Sequence, residues 1–233
     1  MFTKLLAYEI RSRFRTDARS FGAFIAVIAV AAGLVAAGLP GISGSTAVLA
    51  YALCALTPVA CAIAAMADYW KTLYGQRGYF TMSLPISGRV IFWAKITRIA
   101  IECLLALALA VGGILAVASA AAWSDGISLA EYTAGPRSVV AGMPTFTVAL
   151  MIAAQLILAM SWIVQGCAVM SIGAQGRFNH LGFEAPIIGF VLVYVVNQVL
   201  STVGTFFLPL SVTTDGHFST EIMWTSYLAT MGT

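Results

Sequence analysis

The chain has 233 residues, of which 61% are hydrophobic and only 9% charged, and its formal net charge is +3. Soluble domains carry about 25% charged residues, so this composition excludes one and predicts an all-α integral membrane protein. The Lys and Arg residues are divided among separate segments rather than gathered on one folded surface, which argues against a nucleic-acid partner.

Five runs have no charge, or nearly none, over a membrane length: 21–39, 45–67, 99–123, 145–172 and 186–210. Each can cross a hydrocarbon core that takes about 20 helical residues. A transmembrane barrel would instead show alternating segments of about 10 residues, and a secretory signal would be one short run with a cleavage site.

Residues 1–20 precede the first span. Phe2, Leu6, Ile10 and Phe14 recur every four residues and predict an apolar stripe on a helix. Lys4, Arg11, Arg15 and Arg19 occupy its other faces, and Glu9 and Arg13 have the spacing of an i, i+4 ion pair. An amphipathic helix in the membrane interface is expected, drawn there by anionic lipid.

The first two spans, within 21–67, are joined by the short turn 40–44 and form a helical hairpin. The letters Gly-Ile-Ser-Gly at 41–44 match the nucleophile motif of intramembrane serine proteases. His180 and His217 fall on opposite sides of the expected topology, so neither is placed as a base for Ser43. Small residues recur every four positions at Ala29, Gly33 and Ala37, and again at Ala108, Gly112, Ala116 and Ala120. Such ridges let helices approach closely in lipid, within one subunit or at a dimer seam.

The segment 68–98 holds Lys71, Arg77, Arg89, Lys95 and Arg98 against the single acid Asp68. A loop this basic is retained in the cytoplasm. With the amino terminus on the same side, eleven of the twelve Lys and Arg share that side, Arg137 being the exception. Pro85 disfavours helix at Leu84 and breaks the segment between a short piece at 79–84 and a second amphipathic piece at 90–96 that leads into the third span.

Glu102 lies near the start of the span 99–123, four residues from Arg98, where an interfacial ion pair is expected. The external connection 124–144 predicts a short surface helix around 127–132. The span 145–172 carries Gln155 and Gln165, the cytoplasmic loop 173–185 follows, and the span 186–210 carries Asn197 and Gln198. Counting from the span ends puts Gln155 at the depth of the Asn197–Gln198 pair. Amides in hydrocarbon need a partner, so these four either bond between helices or line a translocation path. The tail 211–233 is polar and external. Cys54, Cys61, Cys103 and Cys167 all lie inside spans and read as small packing residues, because no metal or disulfide partner is evident from their spacing.

Two stretches carry a resemblance. Residues 68–87, DYWKTLYGQRGYFTMSLPIS, followed by Lys95, resemble the cytoplasmic loop of ABC-2-type transporter permeases. The opening FTKLLAYEIRSRFR is similar to the amino terminus of a bacterial group of the same family. The family's Glu before the Gly-Tyr pair is Arg77 here, and its members usually have six spans where five are clear.

The resemblance implies the permease subunit of an ATP-driven exporter or resistance pump in the cytoplasmic membrane. It implies pairing with a second permease, identical or homologous, and with ATP-binding cassette ATPases that hold ATP and Mg. Residues 1–20 would be the elbow helix. Tyr79, Phe80, Thr81, Met82, Ser83, Leu84, Pro85 and Ile86, with Arg77, would be the coupling element seated in the ATPase. The chain has no Gly-rich phosphate loop ending in Lys-Ser or Lys-Thr, so no cofactor and no catalysis of its own are expected. A membrane-embedded enzyme would need clustered Ser, His, Asp or Glu at one face, whereas a non-transporting anchor or sensor would keep the loop and dispense with polar residues in the spans.

Overall fold

A computed structural model describes residues 2–39, 43–75, 78, 87–175, 184–207, 211–212 and 218–219. Among these residues the helices are α1 (Phe2–Ala36), α2 (Ser43–Leu73), α3 (Gly88–Ser124), α4 (Leu129–Tyr132), α5 (Ala134–Ala141), α6 (Thr145–Gly173) and α7 (Glu184–Phe207). Two-residue strands β1 (Ser211–Val212) and β2 (Phe218–Ser219) pair antiparallel in the tail. Five helices, α1, α2, α3, α6 and α7, are long and apolar enough to cross a membrane, as expected of a multi-pass membrane protein. The chain divides into two compact units, Met1–Ala134 and Gly135–Thr233.

In the first unit α1 runs unbroken from the basic segment into the first span. No Pro occurs before Pro40, so nothing interrupts the hydrogen-bond ladder until Gly38, whose φ of 62° ends the helix. The separate interfacial helix expected over 1–20 is therefore the first half of α1. Its 35 residues extend about 50 Å, against a hydrocarbon core of about 30 Å, so one end must project. All its charges lie between Lys4 and Arg19, which makes that end the projecting one.

Of the stripe Phe2, Leu6, Ile10 and Phe14, Leu6 is half-buried and the other three face outward, Phe14 being 66% exposed. The packed face carries Glu9, Arg13 and Asp17 and continues as Phe24, Ile28 and Val35. Lipid rewards an outward apolar surface, so burial here selects the residues with specific partners rather than the greasiest ones.

α1 and α3 lie parallel: Glu9 meets Lys95, Ile28 meets Gly113, and Val35 packs with Ala120 and Ala121. α2 lies antiparallel to α3, with Asp68 against Arg98 and Cys54 against Gly113. The ridge at the triple contact is Ala106, Ala110, Gly113 and Val117. The expected ridge Ala108, Gly112 and Ala116 is exposed, as are Ala29, Gly33 and Ala37; of that set Ala120 alone is buried.

α3 also absorbs the expected second piece 90–96, starting at Gly88 behind Ser87. It ends at Gly126, φ 69°, where the Gly126 and Ile127 amides donate to the Trp123 and Ala122 carbonyls. The expected surface helix forms as α4, capped by Ser128, whose side chain accepts from the Glu131 amide. α5 was not foreseen; Pro136 in its first turn removes an amide that needs no helical partner.

In the second unit α6 and α7 are antiparallel and touch most closely near the connection between them. A Cβ on Gly173 would lie 2.9 Å from the Pro186 nitrogen, and one on Gly189 2.6 Å from Val169 Cγ1. Glycine at both positions lets the backbones meet.

Candidate functional site

Charged and polar residues on three helices recur at helical spacing: Glu9, Arg13 and Asp17 on α1; Asp68 and Thr72 on α2; Lys95, Arg98 and Glu102 on α3. Spacings of three and four place each set on one helix face. The helix register described above turns the three faces toward one another.

Arg98 is the centre, 2% exposed and the largest fully buried side chain among the described residues. Its Nη1 donates to Glu102 Oε1 and its Nη2 to Asp68 Oδ2 at 3.3 Å. The other Asp68 oxygen pairs with Arg13 Nη2 at 2.8 Å, so one carboxylate of α2 bridges α1 and α3. Glu9 bridges in the other direction. Its Oε1 takes Lys95 Nζ at 3.0 Å, while its Oε2 stands 3.9 Å from Arg98 Nε.

Lys95, also 2% exposed, donates to Thr72 Oγ1 at 3.0 Å, and the Thr72 hydroxyl donates to the Asp68 carbonyl at 2.8 Å. Asp17 lies within hydrogen-bonding reach of Glu102.

Glu9 and Arg13, read above as an i, i+4 pair, are thus divided between partners on α3 and α2. The reason is burial: a pair on one exposed face gains about 0.2–0.5 kcal/mol, whereas a buried cation left without its anion costs several. Lys95 and Arg98, counted with the basic loop, are neutralised inside the bundle, and Glu102 sits in this network. The helices also shorten the connection: α2 continues to Leu73 and α3 begins at Gly88, so 74–87 joins them. Both stems of that connection, Asp68–Thr72 and Lys95–Arg98, are cross-linked to each other and to α1.

Chemically the cluster is a clamp. No group of three or more His, Cys, Asp or Glu among the described residues is arranged to hold a metal. Ser43 is the first residue of α2, and His180 and His217 lie outside the described residues, as do Arg77 and the whole of 79–86.

The second unit places Asn197 Nδ2 2.8 Å from Gln165 Oε1, an interhelical hydrogen bond. Gln155 and Gln198 are exposed. The depth match of Gln155 with Asn197 is corrected by the antiparallel register: Val169 lies against Gly189, so Asn197 falls nearer Gln165, while Gln155 is about 15 Å further along α6. Gln165→Leu or Asn197→Leu alone is expected to cost about 0.6–1.7 kcal/mol, read as a lower thermal midpoint in detergent. The double Leu variant should recover part of the loss, since it leaves no unpaired amide.

The pattern that marks the cluster is present in the sequence as acids at Glu9 and Asp17 in an otherwise basic helix, one face apart from the apolar stripe. Nothing in the letters says that this face is the packed one. No protein-family model, curated protein or solved structure matches the chain.

Proposed function

We propose that the chain is the permease subunit of an ATP-driven transporter, an exporter or a resistance pump. It sits in the cytoplasmic membrane with its amino terminus inside, beside a second permease and two ATPase subunits. The observation that carries this reading is the clamp beneath the 74–87 connection. A force applied to a slack loop is lost in the loop, whereas both stems here are ion-paired to one another and to α1, so α1, α2 and α3 would move together. The family resemblance of 68–87 supplies the source of the force, an ATPase seated on Tyr79–Ile86. Conformational work follows only if the loop binds the two ATPase states differently. Gln165 and Asn197, with Gln155 and Gln198, are the candidates for the path; the Gln165–Asn197 bond also serves as packing.

The test is purification of the tagged chain from its native membrane in mild detergent. An ATP-hydrolysing subunit should co-purify. The double variant Tyr79→Ala, Phe80→Ala should lose at least about tenfold of it, as for removal of hot-spot aromatics, while remaining monodisperse. Undiminished co-purification and transport in that variant would sink the coupling role, and absence of any ATPase would favour an anchor or sensor.

A further inference from the structure

α2 and α3 face each other at close range on both sides of one level. Below it, Arg98 Nη2 is 3.3 Å from Asp68 Oδ2 and Lys95 Nζ is 3.0 Å from Thr72. Above it, a Cβ on Gly113 would stand 2.7 Å from Cys54 Sγ. Cys61 falls between Cys54 and Asp68, and Cys103 between Arg98 and Gly113. The Cys61 thiol reaches the Glu102 carbonyl at 3.9 Å and lies within hydrogen-bonding reach of the Cys103 side chain.

Both residues are half-buried, and both are free thiols. The buried side chains around this level are small: Ala65 on α2, Ala106 and Ala110 on α3. Small side chains bring helix backbones inside the usual interaxial distance of about 8–10 Å, toward the Cα separation of about 4.4–6.8 Å that a disulfide spans.

We propose that Cys61 and Cys103 form an oxidisable dithiol whose oxidant is a membrane-soluble quinone. The two sulfurs join, each thiol gives up its hydrogen, and the two electrons and two protons pass to the quinone, which leaves as the quinol. A lipid-soluble acceptor suits the site because both thiols lie within membrane-length helices. The bond would tie α2 to α3 one or two turns inside the charged clamp and stop the two from sliding. This holds whether or not the chain is a transporter subunit.

The experiment uses the full chain in mild detergent with a fully substituted benzoquinone, whose ring offers thiols no open position. Remaining thiols are then capped with N-ethylmaleimide. Expected is a chain about 2 Da lighter before capping, no maleimide on Cys61 or Cys103, and a digest in which their two peptides stay linked until a phosphine reduces them. Cys61→Ser and Cys103→Ser should each abolish the loss of mass. Maleimide on both residues after quinone treatment would overturn the proposal, as would a disulfide joining either to another cysteine or to a second chain. The linked peptide is read in the unmutated protein, so the result does not depend on how the variants fold.

Discussion

Arg98→Leu is expected to lower stability by about 3–5 kcal/mol, the penalty for breaking a buried ion pair on one side. The substitution removes the group that Glu102 and Asp68 share and that Glu9 faces, leaving carboxylates crowded in a largely buried site. Arg98→Lys retains the charge but cannot reach two carboxylates in different directions, because an ammonium lacks the guanidinium's planar fork; an intermediate loss is expected. Arg98→Leu combined with Glu102→Leu should be less damaging than Arg98→Leu alone, since replacing both partners by apolar groups leaves fewer unpaired charges. Thermal unfolding of the purified variants in one detergent measures all three. A midpoint for Arg98→Leu equal to that of the unmutated chain would show that water reaches the site.

The second large effect separates two adjacent glycines. Gly113→Leu is expected to cost about 1–3 kcal/mol or more from overpacking, because even a Cβ there would meet Cys54 Sγ at 2.7 Å with Ile28 behind it. Gly112→Leu should be close to neutral, since nothing lies within 4 Å of its Cβ position. Cys54→Ala should partly rescue Gly113→Ala by removing the sulfur that the new methyl strikes, a non-additive result expected of residues in contact. Equal midpoints for the two Leu variants would mean that α3 is rotated from the orientation described. That contrast also bears on the exposed small ridge: if Gly112→Leu alone were destabilising, a second helix would have to cover it.

Hydropathy and length made the five long helices legible, and a short surface helix was expected around 127–132, where α4 forms. The i, i+4 spacing of Arg98 and Glu102 put those two within reach of each other. Helix rotation was not legible. On α1 the apolar stripe Phe2, Leu6, Ile10 and Phe14 marked the side expected to meet the membrane, and Phe2, Ile10 and Phe14 do face outward, but nothing in the stripe said that the face with Glu9, Arg13 and Asp17 would pack against α2 and α3. The same gap explains the ridge on α3, where two small-residue rows, one through Gly112 and one through Gly113, differ by a single position. Depth counting failed for Gln155 because it measured each span from its own ends, whereas the α6–α7 register is set by the close approach of Gly173 and Gly189 to their neighbours.

By itself the sequence determined that this protein is helical, that it holds segments long and apolar enough to cross a membrane, and that the charges of α1 gather ahead of the first of them. These follow from transfer free energies that sum along a segment and need no knowledge of neighbours. Only the tertiary structure decided that Glu9, Arg13, Asp68, Lys95, Arg98 and Glu102 form one network, and that Cys61 faces Cys103. Such pairings depend on the rotation and register of three helices, and apolar side chains meet lipid as readily as they meet each other. The choice of face therefore falls to close backbone contact at small residues and to charges that must find partners.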